Sequence, residues 1–200
     1  MSAISDNDGE LLVRTARSVV TEYLQTGKRP VLSSEIKSRF SFNSGVFVTL
    51  NKEENLRGCI GFPTPDRKLC QSLLDASIAS ATEDPRFLPV KYDELDKITF
   101  EVTILTPPEV VKVQDPSEYL SKIRVGRDGL IVKWESGSGL LLPQVPVEYG
   151  WNEEEFLSHT CDKAGAPSDY WKKKGSMVLR FEGIVFKETE PNGPVVQVEL

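Results

Sequence analysis

The segments with strand character in this chain come in runs rather than singly between helices. Residues 45–50 are β-rich and alternating, Asn51-Lys52-Glu53-Glu54 reads as a turn, and residues 55–60 return, which predicts a hairpin. Ile98–Leu105 sets Phe100, Val102 and Ile104 on one face and Glu101 and Thr103 on the other, the pattern of a half-buried strand, and Pro107-Pro108 ends it. Residues 110–113 predict a short edge strand, and residues 123–125, 130–134 and 139–142 three more. Arg127-Asp128-Gly129 and Ser136-Gly137-Ser138-Gly139 are their turns. Residues 176–181, 184–187 and 195–198 complete the set. Parallel strands need a long crossover between each pair, whereas hairpins do not. The pattern therefore predicts an α+β fold, a largely antiparallel sheet with flanking helices, over a doubly wound sheet.

The helical segments fall between these runs. Leu12, Ala16, Val19, Val20 and Tyr23 predict a helix over residues 8–25, ended by Thr26-Gly27. Residues 34–40 predict a second, capped by Ser33 or Ser34. Thr64-Pro65-Asp66 predicts the start of a third, with Leu69, Leu73 and Ala76 as its buried stripe and Cys70, Leu74, Ile78 and Ala81 widening it, so Cys70 reads as core. It stops near Glu83, because the residue before Pro85 avoids helical backbone. Asp115-Pro116-Ser117-Glu118 and Asn152 with Glu155 are capping patterns for two more helices, the first reaching about Lys122 and the second closed by Gly165. Pro143 and Pro146 break the chain around Gln144, which reads as a rigid loop presenting an amide.

A chain of 200 residues is long enough for a sizeable core and reads as a single domain over 1–200, its core about 10–187, with room for two lobes. Lys and Arg number 24 and Asp and Glu 30, a net charge of −6 that argues against wholesale binding to a phosphate backbone. Lys172-Lys173-Lys174 is a single basic run, the pattern of a solvated face. The polar, acidic start is not a secretory signal, and no apolar run is long enough to span a membrane. Three cysteines at irregular spacing, Cys59, Cys70 and Cys161, predict reduced thiols in a cytoplasmic protein and no disulfide. One histidine, His159, excludes a His-rich metal site; no metal ligands are assigned and no cofactor is identified.

Leu56-Arg57-Gly58-Cys59-Ile60-Gly61 is the stretch that draws chemistry. Two glycines leave room for another molecule beside Cys59. On an extended strand Arg57 shares a face with Cys59, and a guanidinium near a thiol favours the reactive thiolate. The competing reading is a buried strand ending in a glycine turn, with Cys59 a small core hydrophobe. Asp84, Arg86 and Glu101 are further candidates, although Asp84 also suits a turn before Pro85 and Arg86 a simple pair with it. Walker, GxGxxG and GxSxG motifs are absent.

The hexapeptide resembles the signature of the AMMECR family, named for the AMME syndrome chromosomal region. Asp84-Pro85-Arg86-Phe87-Leu88-Pro89-Val90 resembles its D-x-R-F-P-P-L block, with Leu88 in place of proline. Ile104-Leu105-Thr106, Gly126 with Gly129, Leu141-Leu142-Pro143-Gln144-Val145 and the stretch from Phe156 to Gly165 follow in the family's order. The chain is thereby identified as a prokaryotic-type member over about residues 10–185. The resemblance implies a larger and a smaller lobe with a cleft between them lined by the hexapeptide. Cys59 and Arg57 would be the catalytic candidates, and Gly58, Gly61, Asp84, Arg86 and Gln144 the binding ones. Gln144 stands where some relatives carry an acid, so acid–base chemistry at that position is not available here. The implied partners are Memo-family and radical-SAM proteins. The resemblance brings no reaction with it. An enzyme or enzyme component, a non-catalytic binding module for a small ligand, peptide or partner, and a nucleic-acid binder are the three functions to separate.

Overall fold

The computed structural model describes residues 4–198. In chain order the elements are α1 (Asp6–Thr26), α2 (Ser34–Arg39), β1 (Val46–Lys52), β2 (Asn55–Phe62), α3 (Leu69–Thr82), β3 (Ile98–Leu105), β4 (Glu109–Val110), α4 (Tyr119–Lys122), β5 (Asp128–Trp134), β6 (Gly137–Leu141), α5 (Gln144–Tyr149), α6 (Glu153–Lys163), β7 (Met177–Glu188) and β8 (Val195–Val198). The strand pairings within each unit of the chain are antiparallel, which makes the fold α+β. The chain divides into two compact units. It leaves the first after Leu105, builds the second over Thr106–Gly183, and re-enters the first at Ile184.

In the first unit β1 lies between β2 and β3. Val46, Val48 and Leu50 of β1 and Ile98, Phe100, Val102 and Ile104 of β3 face the core, as the period of two requires. α3 is buried along nearly its whole length, so its sequence is apolar or small all round rather than amphipathic. α1 is capped by Ser5 in a reciprocal box with Asp8 and stopped by Gly27 in the left-handed region. Gly9 is required inside α1: a Cβ there would lie 2.1 Å from the Phe186 ring. β8 pairs with the last residues of β7.

The second unit pairs β6 with β5, β5 with the first part of β7, and β4 with β7. Phe156, Leu157 and Cys161 of α6 share its core with Leu130, Val132, Val178, Tyr119 and Trp171. A Cβ on Gly139 would lie 2.3 Å from the Ala164 nitrogen, so this glycine lets β6 approach the end of α6.

Several boundaries move. Thr64-Pro65-Asp66 is a turn, and α3 begins only at Leu69. Its first N–H groups are taken by distant carbonyls, Leu69 donating to Phe42 and Cys70 to Phe40, so tertiary partners replace a local cap. Residues 123–125 form no strand. The Asp128 carboxylate, fully buried, accepts from the Arg124 N–H and the Arg127 guanidinium, so the turn falls on Val125-Gly126-Arg127 and Asp128 opens β5. The turn between β5 and β6 is Glu135-Ser136. Gln144 is not in an open loop but begins the short helix α5. Residues 176–181 and 184–187 are one strand, because Glu182 exchanges two hydrogen bonds with Thr106 where a break was expected. A 3₁₀ segment, Tyr92–Lys97, precedes β3 with no prior signal.

Candidate functional site

The hexapeptide lies within β2, which pairs with β1. Cys59 stands opposite Thr49 of β1, and Thr49 stands opposite Glu101 of β3, so three side chains form one row across the sheet. This row lies on the face opposite the helices, where side chains are half-buried. The Thr49 hydroxyl donates to Cys59 Sγ at 3.3 Å.

The backbone of Cys59 is held from outside the sheet. Its N–H donates to Asp84 Oδ2 at 2.9 Å, and its carbonyl accepts from Arg86 Nη2 at 3.3 Å. Arg86 in turn grips Asp84 through Nε at 2.9 Å and Nη2 at 2.7 Å. The carboxylate and guanidinium thus stand in for a neighbouring strand, which satisfies groups that would otherwise recruit another chain. Asp84 is buried, and Arg86's hydrogen bonds, with the Cys59 and Arg86 N–H groups, hold its carboxyl well below the usual carboxylate range.

Arg57 is not aimed at the thiol. The β1–β2 register slips between Leu50 and Asn51: Leu50 faces Gly58 and Asn51 faces Leu56, so Arg57 drops out of the pairing. Its guanidinium donates to Glu94 through Nη2 at 3.0 Å and Nε at 3.3 Å, and to the carbonyls of Leu88 and Pro89. Lys52 reaches the same carboxylate at 2.8 Å. Arg57 foremost, then Lys52 and the Lys91 N–H, lower the Glu94 pKa to about 2. The expectation that Arg57 favours a thiolate is therefore corrected, because the bulge breaks the alternation on which it rested. Burial pushes the Cys59 thiol up. The Thr49 hydrogen bond and Arg86 offset this in part, and the Glu101 and Asp84 carboxylates add to it. Burial also raises Glu101, against the pull of Lys187. The row sets an S–H, an O–H and a carboxyl whose pKa burial raises side by side, a set fitted to hydrogen bonding a bound molecule.

The two glycines serve packing. A Cβ on Gly58 would lie 2.0 Å from the Ser80 carbonyl oxygen of α3, and one on Gly61 2.3 Å from the Phe47 ring. Gly58 sets how close α3 lies to β2; Gly61 leaves space for Phe47. Cys70 and Cys161 are buried and Cys59 half-buried, all three unpaired. Among the described residues no group of three or more His, Cys, Asp or Glu is placed to hold a metal, and no helix is long and apolar enough to cross a membrane.

The AMMECR1 family model matches residues 13–186. The chain belongs to this family. Protein MJ0810 of Methanocaldococcus jannaschii is 48% identical over the whole of both chains, and Protein PYRAB00100 of Pyrococcus abyssi 50% identical, likewise over both full lengths. The crystal structure of Protein PH0010 from Pyrococcus horikoshii matches with a TM-score of 0.83 at 49% identity, covering 98% of this chain and 99% of that one. Against the family's block, Leu88 is 84% exposed and contributes through its carbonyl, which accepts from Arg57 at 2.8 Å, so the missing proline leaves that contact in place. Cys59, Gly58, Gly61, Arg57, Asp84 and Arg86 all lie in the first unit, and Gln144 lies exposed in the second. Sequence reasoning missed Thr49 and Glu94, and held Glu101 as a candidate without its partners. The alternation of β3 already put Glu101 on the polar face; the register that aligns it with Thr49 and Cys59 is tertiary.

Proposed function

We propose that this protein is an enzyme component that binds a small ligand over the Cys59–Thr49–Glu101 row, with Memo-family and radical-SAM proteins as its working partners. The observation that carries this reading is the contrast at Cys59. Its main chain is locked on both sides by Asp84 and Arg86, while its thiol keeps one long contact. A rigidly held backbone with a lightly engaged functional group is the form of a preorganised site. The thiol enters as a neutral S–H, so it acts as a donor or acid, or becomes a nucleophile only once a bound ligand supplies the base.

A non-catalytic binding module is the second reading, favoured by the raised thiol pKa. The test is the full chain as wild type, Cys59→Ser and Cys59→Ala, reconstituted with its candidate partners and with small molecules recovered from the native source. An enzyme component keeps partner binding in Cys59→Ser and loses turnover. A binding module keeps both ligand and partner in Cys59→Ser. If neither variant changes turnover, ligand binding or partner binding, and alanine costs about 1 kcal/mol of stability, Cys59 is packing and the proposal fails.

A further inference from the structure

A concavity of about 470 Å³ lies between the segment 29–32, α2 and the start of α3. None of its lining residues belongs to the Cys59 row or the groups that hold it. Its apolar surface comes from Leu32, Leu74 and Cys70, which are buried, and from Val31, which is 83% exposed. An exposed β-branched residue beside an apolar hollow is surface that a ligand's apolar part would remove from water.

Three cations also line it: Arg29, Lys37 and Lys68. Arg29 pairs with Asp75, a carboxylate shared with Arg67. Lys37 and Lys68 enter no ion pair among the described residues. Lys68 occupies the N-cap of α3, whose first turn carries no acid, so this cation stands where the helix dipole disfavours it. On a chain of net charge −6, an apolar hollow lined by unneutralised cations is a local exception.

We infer that this pocket is a binding site for a small amphiphilic anion, a carboxylate or phosphate on an apolar chain. The tail lies against Leu32, Leu74 and Val31, and Lys37 and Lys68 meet the head. The volume is within the range of small-molecule sites, and a few polar groups on an apolar lining are their usual composition. The inference does not depend on the function proposed for Cys59.

The full chain is titrated with decanoate and with decyl phosphate by calorimetry, and the contacts are mapped by amide chemical shifts. Acetate and inorganic phosphate test the head alone, and decyltrimethylammonium tests the tail with the opposite charge. The expected result is saturable binding of at least one of the two anionic amphiphiles, with shifts confined to residues 29–37 and 68–74. The tighter of the two identifies the head as carboxylate or phosphate. The head-only anions and the cationic amphiphile bind at least tenfold more weakly. Lys37→Glu with Lys68→Glu, both at exposed positions, weakens the anion tenfold or more. Val31→Glu, a single change at an exposed site, does the same by repulsion and serves if the double variant folds poorly. Equal binding of the cationic amphiphile, affinity unchanged in these variants, shifts elsewhere, or no saturable binding of either anion would overturn the inference.

Discussion

Single atoms decide the behaviour of the hexapeptide. Gly58→Ala would press a methyl group into the Ser80 carbonyl, a backbone atom that cannot swing aside. It should cost ~1–3 kcal/mol or more by forcing α3 off β2, read as a lower urea midpoint with an unchanged slope. Glu94 gives a pH signature. Its pKa falls from the ordinary 4.5 to about 2 in the folded chain, so its ion pairs add stability above about 4.5. That stability is lost as pH falls through about 2, and is at most ~3 kcal/mol. Acid titration of stability should show this loss in wild type. In Glu94→Gln the chain should be weaker at neutral pH and flatter between those limits; an unchanged acid limb would remove Glu94 from the account. Glu94 was not legible because nothing local links it to Arg57, 37 residues away in sequence.

Among elements, the β1–β2 hairpin is the one whose turn chemistry is poorest. Glu53 and Glu54 have φ of 50° and 66°, the left-handed pair of a two-residue hairpin turn, where asparagine and glycine are preferred. Glu53→Asn with Glu54→Gly should stabilise by about 1 kcal/mol, seen as a higher melting temperature. A melting temperature equal to or below wild type would mean that these glutamates contribute elsewhere. The hairpin itself was readable from two β-rich runs about a polar stretch. The bulge that frees Arg57 was not, since register depends on which residues of both strands face the core. The capping boxes at Ser5, Asp115 and Asn152 all form within four residues of chain, so local sequence suffices for them when it contains the pattern. α3 had no such pattern, because Phe40 and Phe42 accept from its first N–H groups.

At the scale of the whole molecule, the first unit is discontinuous and depends on the return of the chain at Ile184. Phe186 is buried against Gly9, and the Glu188 carboxylate, fully buried, accepts from Arg17 at 2.5 and 2.7 Å, from Arg14 at 3.3 Å and from the Phe100 N–H at 3.0 Å. Breaking a buried pair leaves uncompensated charge, so Glu188→Ala should cost ~3–5 kcal/mol in a chemical melt. A loss below 1 kcal/mol would show that water replaces the carboxylate. Neither Glu188 nor Asp128 stands out in sequence, because an acid on a strand reads as solvent-facing until its cationic partners are located.

What the sequence determined by itself is what local chemistry can specify. It set the α+β class, the extent of β3, the buried stripes of α1 and α3, the capped helix starts, the reduced cysteines and membership of the family. Each follows from residues within a turn or two of one another, or from an ordered set of short motifs. The tertiary structure alone decided what Cys59 meets. Thr49 and Glu101 join it by strand register, Asp84 and Arg86 reach it from the loop after α3, and Arg57 is drawn away to Glu94 by a bulge. It also decided the charge state of the thiol, because the burial that raises its pKa is a sum over chain segments far apart in sequence.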